Sequence, residues 1–458
     1  MSTMRGMLEV IDARTVAAAL GPLRVDSHEL RALCDSLARR PRPAMRINLL
    51  GPALDSAALS FVSEPVAWYR REAYFVAPEA RPGRRIEFAA GAYYVQDAGS
   101  LLPVALLDPQ PGEVICDLCA SPGGKATAIV EHLGEEGFLL ANEAVADRLP
   151  PLRLNLARHG GWRYGVSNLD PSRLAEELPE TFDAVLVDAP CSGQSLLSRG
   201  QKGGGAFAGR TIEHCAARQR RILAAAARLV RPGGRLVYST CTFSFVENEG
   251  LVLAFLAEHA GEWSLAGGDG PLHLRPYRAT DVSPHGCYRL WPHRDGCLGA
   301  FAALLRRADG VPAGPSPRTA RNERPPSGTI DFAEWGFWRS LPRLTIDAHQ
   351  AFERPAGSPN WAGRLCRGPE VCFRSGRTWF PSYALAMRRD GRFTPHRVVE
   401  LSESQAAGYL AGRALKHAAR GWAIVAAQGL ALGWSKGSEG TLKNHLPASA
   451  RVMVSSGQ

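Results

Sequence analysis

Four short apolar stretches alternate with helical stretches between residues 96 and 307, and this alternation constrains the fold more than any other feature. Strands are predicted at 113–118, 137–141, 182–187 and 235–239, and helices at 123–133, 146–158 and 211–230. Strands that alternate with helices predict a mostly parallel sheet covered by helices on both faces. The sequence therefore predicts an α/β, Rossmann-like core whose ligand crevice lies at the carboxyl ends of the strands.

The remaining sequence predicts further domains, because 458 residues exceed the size of one ordinary core. Residues 1–95 form a predicted α+β unit, with a helix over 27–38 and a strand within 43–50. Residues 308–328 are rich in proline, glycine and charge and are typical of an exposed linker. Residues 329–458 combine aromatic residues, arginines and short strand-like runs, which predicts a second globular unit.

The net charge suggests a polyanionic partner. Lysine and arginine number 54 and aspartate and glutamate 44, which gives a formal charge of +10. A basic surface without a nucleic-acid partner, biased by an arginine-rich genome, is the alternative. No apolar run is long enough to span a membrane and no signal peptide is evident, so we expect no membrane partner. Ten scattered cysteines do not resemble a disulfide scaffold, which favours the reducing cytoplasm.

The first candidate site is the glycine-rich turn 116–125, between a predicted strand and a predicted helix. Gly123 and Gly124 allow the backbone to approach a ligand closely, and the start of a helix offers free N–H groups to an anion. A tight turn without a ligand is the alternative. The glycine spacing is not that of a Walker loop. Cys116 and Cys119 lack a second matching pair, so we predict no metal site.

One acidic residue follows the strand over 137–141, and another follows a further strand region before residue 170. Asn142 and Glu143 come after the second strand, where an acid can bind ribose hydroxyls. Asp170 precedes Pro171 and is a candidate for an adenine amino group. Both acids are equally typical of helix caps or solvated charges.

Two cysteines follow two other strands. Asp188 ends one predicted strand and Cys191 comes shortly after it, whereas Cys241 follows the strand over 235–239. A single cysteine is usually an inert, small apolar side chain. Two cysteines beside an aspartate at the same edge of a sheet indicate covalent chemistry.

These segments resemble the Nol/Nop/Sun family of RNA cytosine-5 methyltransferases. The matching strings are Cys-Ala-Ser-Pro-Gly-Gly-Lys (119–125), Asn-Glu (142–143), Asp-Ala-Pro-Cys-Ser-Gly (188–193), Ser-Thr-Cys-Thr (239–242) and Glu-Asn-Glu (247–249), with further matches at 94–100, 288–293 and 299–304. They occur in the order and at the spacing of the family. The resemblance implies a class I methyltransferase core that uses S-adenosylmethionine.

The C-terminal strings 432–437 and 441–447 resemble the PUA-like, RNA-binding extension of the small-subunit ribosomal RNA methyltransferase F type. The resemblance therefore implies RNA as the partner, either 16S rRNA or the small ribosomal subunit, and the basic unit over residues 1–95 and the tail would supply phosphate contacts. Three departures from the family pattern are Ser121, Ala126 and Gln194, and the segment after Gln194 is unusually rich in glycine. The departure at Gln194 concerns the binding of the target base.

The resemblance also implies individual roles. Cys241 would attack carbon 6 of cytosine, Cys191 would assist loss of the carbon-5 proton, and Asp188 would contact the N3 edge. The residues implied in cofactor binding are Cys119, Ala120, Ser121, Pro122, Gly123, Gly124, Lys125, Glu143, Asp170 and Asp188. Sequence alone permits the two cysteines to exchange roles, because Pro190-Cys191 also matches the nucleophile of DNA cytosine-5 methyltransferases.

Three alternatives remain at this stage. The enzyme could act on tRNA or large-subunit rRNA, although the tail disfavours this. A non-catalytic RNA-binding assembly factor could retain the fold, but the intact cysteines, Asp188 and the glycine turn argue against it. A DNA methyltransferase is disfavoured by the second cysteine and the PUA-like tail.

Overall fold

The computed structural model describes residues 11–454 except 24, 53, 55, 57, 58, 70, 71, 78, 267–285, 311–329 and 348. Residues 311–328 of the predicted linker therefore lie outside the described residues.

The N-terminal region pairs two capped helices with a small antiparallel sheet. Its elements are α1 (Ala13–Leu20), α2 (Ser27–Leu37), β1 (Ala44–Ile47), β2 (Val62–Pro65), β3 (Ala73–Val76), α3 (Ile86–Ala89) and β4 (Tyr93–Gln96). The sheet order is β2-β3-β1-β4. The carboxylates of Asp12 and Asp26 accept hydrogen bonds from the first free N–H groups of α1 and α2. The predicted helix and strand in this region are confirmed, although the strand is shorter than predicted.

The central region alternates strands and helices as predicted. Its elements are α4 (Leu102–Leu107), β5 (Val114–Asp117), α5 (Gly124–Val130), β6 (Phe138–Asn142), α6 (Leu149–His159), β7 (Tyr164–Ser167), α7 (Pro171–Glu177), β8 (Phe182–Asp188), α8 (Gly209–Leu229), β9 (Val230–Thr240), α9 (Glu249–Glu258), β10 (Trp263–Leu265), β11 (Cys287–Leu290), α10 (Pro292–Asp295) and β12 (Ala300–Arg307). All four predicted strands and all three predicted helices are present, with shifted ends.

The central sheet is doubly wound. Its order is β10-β12-β9-β8-β5-β6-β7, with β11 also paired to β12. Strands β5 to β9 are mutually parallel, whereas β12 is antiparallel to β9. The chain runs outward from β5 through β6 to β7 and then returns to place β8 on the other side of β5. This reversal of strand order opens a crevice at the carboxyl ends of β5 and β8, as the Rossmann-like prediction requires.

Both faces of this sheet are buried, which explains why its strands are apolar throughout. In β5, Ile115 packs into the core cluster on one face and Cys116 into the cluster on the other. Neighbouring side chains of a strand point to opposite faces, so a strand covered by helices on both sides has no polar face.

Proline and glycine set the ends of α6. The pair Pro150-Pro151 lies in the first turn, where a missing N–H costs nothing, and Gly160 closes the helix at a φ of +78°. The longest helix, α8, has 21 residues and one polar face. Within the part of the chain that the structure describes, no helix is long and apolar enough to cross a membrane.

The C-terminal region consists mainly of short strands. Its elements are β13 (Gly336–Trp338), β14 (Leu344–Ile346), β15 (Gln350–Glu353), α11 (Ala362–Leu365), β16 (Glu370–Ser375), β17 (Thr378–Pro381), α12 (Tyr383–Ala386), β18 (Phe393–Pro395), β19 (Val398–Glu400), α13 (Glu403–Leu410), β20 (Leu415–Lys416), β21 (Gly421–Ala427), β22 (Leu430–Ser438) and β23 (Thr441–Asn444). They form a pair β13-β18, a sheet β14-β15-β16-β17 and a sheet β19-β21-β22-β23-β20.

The C-terminal region packs directly against the central sheet. Arg367 and Val166 exchange both backbone hydrogen bonds, at 2.7 and 2.9 Å, so the edge strand β7 gains a partner. The indole of Trp361 lies edge-on to Phe138 and Phe182, with ring centroids 5.8 and 5.7 Å away. These contacts make a C-terminal side chain part of the central core.

Candidate active site

A cavity of about 390 Å³ lies at the carboxyl edge of the central sheet, where the strand order reverses. Its lining comes from the loop after β5, the ends of β8 and β9, and the segment before β12. The lining includes Tyr94, Gln96, Asp97, Asp117, Cys119, Ala120, Ser121, Pro122, Gly124, Lys125, Arg148, Asp188, Ser239, Thr240, Cys241, Leu298 and Gly299. The glycine turn, Asp188 and Cys241 therefore meet in one crevice.

The glycine turn is shaped by close backbone packing. Gly123 has a φ of +110°, a conformation that disfavours other residues. A Cβ atom on Gly124 would lie 3.0 Å from both Tyr94 and Gln96. Asn155 donates to the Pro122 carbonyl at 2.8 Å. Gly123 is thus needed for the fold of the turn itself, whether or not a ligand is bound, and a side chain at position 124 would crowd Tyr94 and Gln96.

The two other predicted acids have local partners and do not line this cavity. Glu143 accepts a hydrogen bond from Val145 N at 2.9 Å and lies 3.1 Å from Arg148. Asp170 caps α7 by accepting from Ser172 N at 2.9 Å. Asn142 is fully buried and donates to the carbonyls of Leu118 and Leu169. A role for Glu143 and Asp170 towards the cofactor remains a prediction.

Lys125 and Asp188 form an ion pair on the cavity wall. Lys125 Nζ lies 2.7 Å from Asp188 Oδ2, and Ser239 Oγ donates to Asp188 Oδ1 at 3.0 Å. Burial acts to lower the pKa of Lys125, but the carboxylates of Asp188 and Asp117 outweigh it and leave this pKa raised. Lys125 is therefore a permanent cation beside the two cysteine loops.

The two candidate cysteines are in contact. Cys191 Sγ and Cys241 Sγ lie 3.4 Å apart, and both side chains are partly buried. Their shared hydrogen bond raises the pKa of Cys191 and lowers that of Cys241. Ser195 and Lys125 also favour the Cys241 thiolate, whereas Glu247 disfavours a charge on Cys191. Of the two sulfur atoms, Cys241 is therefore the one whose thiolate form is favoured.

A buried carboxylate holds the loop that carries Cys191. Glu247 is fully buried and accepts hydrogen bonds from Ser192 N at 2.9 Å and from Ser192 Oγ at 2.5 Å. Gln219 of α8 donates to Glu247 Oε1 at 2.9 Å and to the Pro190 carbonyl at 3.1 Å. The Glu-Asn-Glu string thus begins with a residue that fixes one cysteine loop.

The next two residues of that string hold the loop that carries Cys241. Asn248 accepts from Thr240 Oγ1 at 2.6 Å and donates to the Thr242 carbonyl at 2.9 Å. Glu249 pairs with Arg289 through two hydrogen bonds of 2.6 and 2.5 Å, and Arg289 also donates to the Phe243 carbonyl. Three consecutive residues therefore set the positions of both cysteine loops.

The departure at Gln194 has a structural role. Gln194 is fully buried, and its carbonyl oxygen accepts from Phe243 N at 3.0 Å. Its amide donates to the Ala206 carbonyl at 3.4 Å. The side chain thus links the Cys241 loop to the end of the glycine-rich segment.

Asp117 is a site residue that the sequence analysis missed. It ends β5, is 1% exposed, and lines the cavity. Neither carboxylate oxygen makes a hydrogen bond of acceptable geometry within the described residues. Burial raises the pKa of Asp117 to about 7, although Lys125 acts to lower it. Its position directly after Cys116, at the end of an apolar strand, is the signal that could have identified it.

The lining fits S-adenosylmethionine. An unpaired, buried carboxylate at Asp117 suits the ammonium group of the cofactor, and the cavity volume is in the range of small-molecule sites. Further polar groups for the remainder of the cofactor come from Ser121, Gln96 and Arg148.

Three family models match the chain. Residues 104–306 match the model of the 16S rRNA methyltransferase RsmB/F. Residues 396–452 match the PUA domain of the methyltransferase RsmF, and residues 23–98 match the N-terminal domain of the 16S rRNA methyltransferase RsmF. The models thus match the three regions in chain order.

Relatives named ribosomal RNA small subunit methyltransferase F are similar over much of the chain. The protein of Aeromonas salmonicida is 30% identical over 466 aligned positions, which cover 94% of each chain. The protein of Aeromonas hydrophila is 32% identical, over 64% of this chain and 63% of its own length. The protein of Salmonella paratyphi B is 35% identical, over 62% of this chain and 60% of its own length.

Two solved structures from Pyrococcus horikoshii share the fold. A methyltransferase homologue superimposes with a TM-score of 0.52 at 24% identity, covering 65% of this chain and all of its own. NSun6, solved with SFG, superimposes with a TM-score of 0.54 at 20% identity, covering 66% of this chain and all of its own. The Rossmann-like methyltransferase fold predicted from the sequence is thereby confirmed.

Proposed function

The chain belongs to the RsmB/F family of 16S rRNA methyltransferases, and on this premise we propose that it methylates carbon 5 of a cytosine in 16S rRNA through a covalent adduct of Cys241. The family and its Rossmann-like fold account for methyl transfer with S-adenosylmethionine. The position on the base and the covalent step are argued from the site.

The contact between two sulfur atoms carries the proposal. Cys191 Sγ and Cys241 Sγ are 3.4 Å apart, and Cys241 lines the cavity together with Asp188 and Lys125. Carbon 5 of cytosine is a poor nucleophile until a thiolate has added to carbon 6. A transfer to a nitrogen or oxygen atom has no need of two adjacent cysteines.

The charge distribution supports Cys241 as the nucleophile. The hydrogen bond from Cys191 lowers the pKa of Cys241, and Ser195 and Lys125 act in the same direction. Cys241 is therefore the sulfur that is ready to attack, whereas Cys191 starts as the thiol.

The cofactor would be held by residues 119–125 together with Asp117 and Asp188, and by Glu143 and Asp170 where the ligand extends beyond the cavity. When bound, S-adenosylmethionine supplies an electrophilic methyl group and leaves with the electron pair of the broken bond. The protein supplies binding and orientation.

Attack begins with bond formation between Cys241 Sγ and carbon 6. The electron pair of the carbon 5–carbon 6 double bond is thereby released to carbon 5, which takes the methyl group. Asp188 would face the N3 edge of the base, where its ion pair with Lys125 and the hydrogen bond from Ser239 fix its carboxylate. The base must be unpaired or flipped out of its stack to reach this position.

Release requires a base at carbon 5. Once Cys241 is bonded to carbon 6, Cys191 loses the charged partner that raises its pKa, so its proton can leave to solvent. The Cys191 thiolate then accepts the carbon-5 proton, the carbon 5–carbon 6 double bond forms again, and Cys241 leaves as a thiolate. The balance is one proton released for each methyl group transferred.

We further propose a cytoplasmic location and the small ribosomal subunit or its RNA as partner. All ten cysteines are free, which suits a reducing compartment. The PUA-type match at residues 396–452 supports an RNA partner.

Separate substitution of the cysteines tests the mechanism. We expect Cys241→Ser to abolish 5-methylcytidine formation without an adduct, because the hydroxyl is not a thiolate. We expect Cys191→Ser to accumulate a covalent protein–RNA species, because release is blocked. The measurements are mass spectrometry of digested 16S rRNA and denaturing gel electrophoresis after incubation with the cofactor.

Cys215→Ser is the matched control, because Cys215 lies on α8 outside the cavity lining. If Cys241→Ser remains active, while Cys191→Ser is inactive and traps no adduct, the roles are reversed and the assignment is wrong.

A further inference from the structure

A second cavity, of about 420 Å³, lies beside the active site, between the end of α2 and α10. Arg39, Arg40 and Arg42 line it, together with Asp35, Ser198 and His293. We call it the arginine cavity. Three arginines within four residues, directly after a helix end, give this concave surface an excess of positive charge.

Two of these cations are not neutralised locally. Arg42 pairs with Glu64 and lies over the ring of Phe75. Arg39 and Arg40 are exposed, and no carboxylate lies within ion-pair distance of either among the residues that the structure describes.

Some exposed arginines on other surfaces are neutralised by ion pairs. Arg173 pairs with Glu176 and Glu177, and Arg231 with Asp183. Unpaired guanidinium groups at the arginine cavity are therefore available to an external anion.

The arginine cavity and the active-site cavity share a wall. Ser198 faces the first and Arg199 the second, and the neighbours Cys297 and Leu298 are divided in the same way. A polymer whose base occupies the active site therefore has its adjacent backbone near the arginines. The cations that line the active-site cavity have acidic neighbours: Lys125 pairs with Asp188, Arg148 with Glu143, and Arg199 lies 4.0 Å from Asp97. The arginines of the second cavity are therefore better placed to bind a flanking phosphate.

We propose that the arginine cavity binds a backbone phosphate of the RNA strand whose cytosine enters the active site. The proposal rests on RNA being the substrate, as proposed above. The planar guanidinium group donates two parallel hydrogen bonds to phosphate oxygens, which suits Arg39 and Arg40 to this ligand.

Salt-dependent binding of transcribed 16S rRNA to the full chain tests the proposal. We expect the double variant R39A/R40A to bind about tenfold more weakly at physiological salt, and the slope of log K against log salt to fall by about one to two. The thermal unfolding midpoint should match that of the wild type, because both side chains are exposed.

Two further variants make the result specific. R39K/R40K keeps the charge but loses the two parallel hydrogen bonds, so it is expected to retain the salt slope and to lose part of the affinity. R306A removes an exposed arginine that has no ion pair among the described residues and lies at the edge of the central sheet opposite the carboxyl edge. It should change neither the affinity for RNA nor the salt slope. If R39A/R40A binds like R306A, or if R39K/R40K loses as much of the salt slope as R39A/R40A, the phosphate site is wrong.

The outcome is separable from that of the proposed function. Mass spectrometry of rRNA treated with the wild-type protein reports cytosine methylation, whereas the salt slope reports phosphate contacts. Absence of 5-methylcytidine together with a reduced slope in R39A/R40A would overturn the chemistry and retain the phosphate site.

Discussion

At the scale of single residues, the most unusual group is Asp117. It is an acid without a hydrogen-bond partner of acceptable geometry among the described residues, buried at the end of β5 and in the cavity. A buried, uncompensated charge is costly, so burial raises the pKa of Asp117 to about 7. Such a group is expected where a cationic ligand supplies the missing partner.

This pKa predicts a pH-dependent affinity for the cofactor product S-adenosylhomocysteine, which keeps the ammonium group. Below pH 7 the carboxyl is neutral in the free protein and must lose its proton when the ammonium binds. The affinity should therefore rise about tenfold per pH unit below 7 and level off above it. Isothermal titration calorimetry between pH 5.5 and 8.5 measures this dependence.

The variant Asp117→Asn should bind more weakly at pH 8 and lose the slope, because the amide does not titrate. Asp309→Asn, an exposed residue outside the cavity lining, should bind like the wild type. An unchanged slope in Asp117→Asn would show that another group titrates.

Some site residues belong to patterns that are visible in the sequence, whereas the roles of others depend on contacts in the folded structure. Cys191, Cys241 and Asp188 follow apolar strands and belong to recognisable strings, so their meeting at one edge was predictable. Asp117 stands inside the Cys116–Cys119 pair, and its lack of a partner exists only in the folded structure. The same holds for Gln194, a departure in the string that proves to hold the Cys241 loop.

At the scale of elements, three short strands were easier to predict than helix ends, whereas β9 begins at Val230, five residues before its predicted start. Strands buried on both faces are continuous apolar runs, and β5, β6 and β8 were found within one residue at each end. Helix α5 ends at Val130, three residues before the predicted end. Glu131 lies directly after it and pairs with the buried Arg46 of β1, a contact that local periodicity does not reveal.

The contact between α8 and the Cys191 loop predicts the effect of changing Glu247. In Glu247→Gln the new amide donor faces Ser192 or Gln219, which both donate to the carboxylate in the wild type. We expect the free energy of unfolding to fall by about 1–3 kcal/mol, because buried hydrogen bonds to a charged carboxylate are replaced by hydrogen bonds to a neutral amide. Urea denaturation measures this change.

The same variant should also displace Cys191 and slow release of the product. The covalent protein–RNA fraction should therefore rise towards that of Cys191→Ser, which a purely structural loss would not produce. Glu213→Gln, an exposed position on the same helix, is the control for both measurements. If Glu247→Gln is destabilised but forms no additional covalent protein–RNA adduct, Glu247 stabilises the fold and does not influence Cys191.

At the scale of the whole molecule, the C-terminal region is continuous with the central core. The sequence predicted a linker and a separate unit after it, and residues 311–328 of that linker lie outside the described residues. Trp361 nevertheless packs with Phe138 and Phe182, and Arg367 extends the central sheet. The partners of Trp361 are distant in sequence and no periodic pattern surrounds Trp361, so its contact with the central sheet could not be predicted.

This packing predicts that Trp361 stabilises the methyltransferase core. Trp361 is 4% exposed, so Trp361→Ala leaves a cavity between Phe138, Phe182 and α11. We expect the free energy of unfolding to fall by about 3–5 kcal/mol, as for other buried aromatic residues replaced by alanine. Trp379, which is only partly buried, provides the matched control, and Trp379→Ala should cost less than about 1 kcal/mol.

The location of the loss distinguishes a shared core from two independent units. Hydrogen exchange should show faster exchange in β6 and β8 in Trp361→Ala, because their side chains lose a packing partner. If only the C-terminal strands exchange faster, the central and C-terminal regions fold separately, and Trp361 contributes no stability to the central sheet. Faster exchange on both sides would mean that the C-terminal region and the central sheet share one core, which fixes the position of the tail relative to the crevice that holds Cys241.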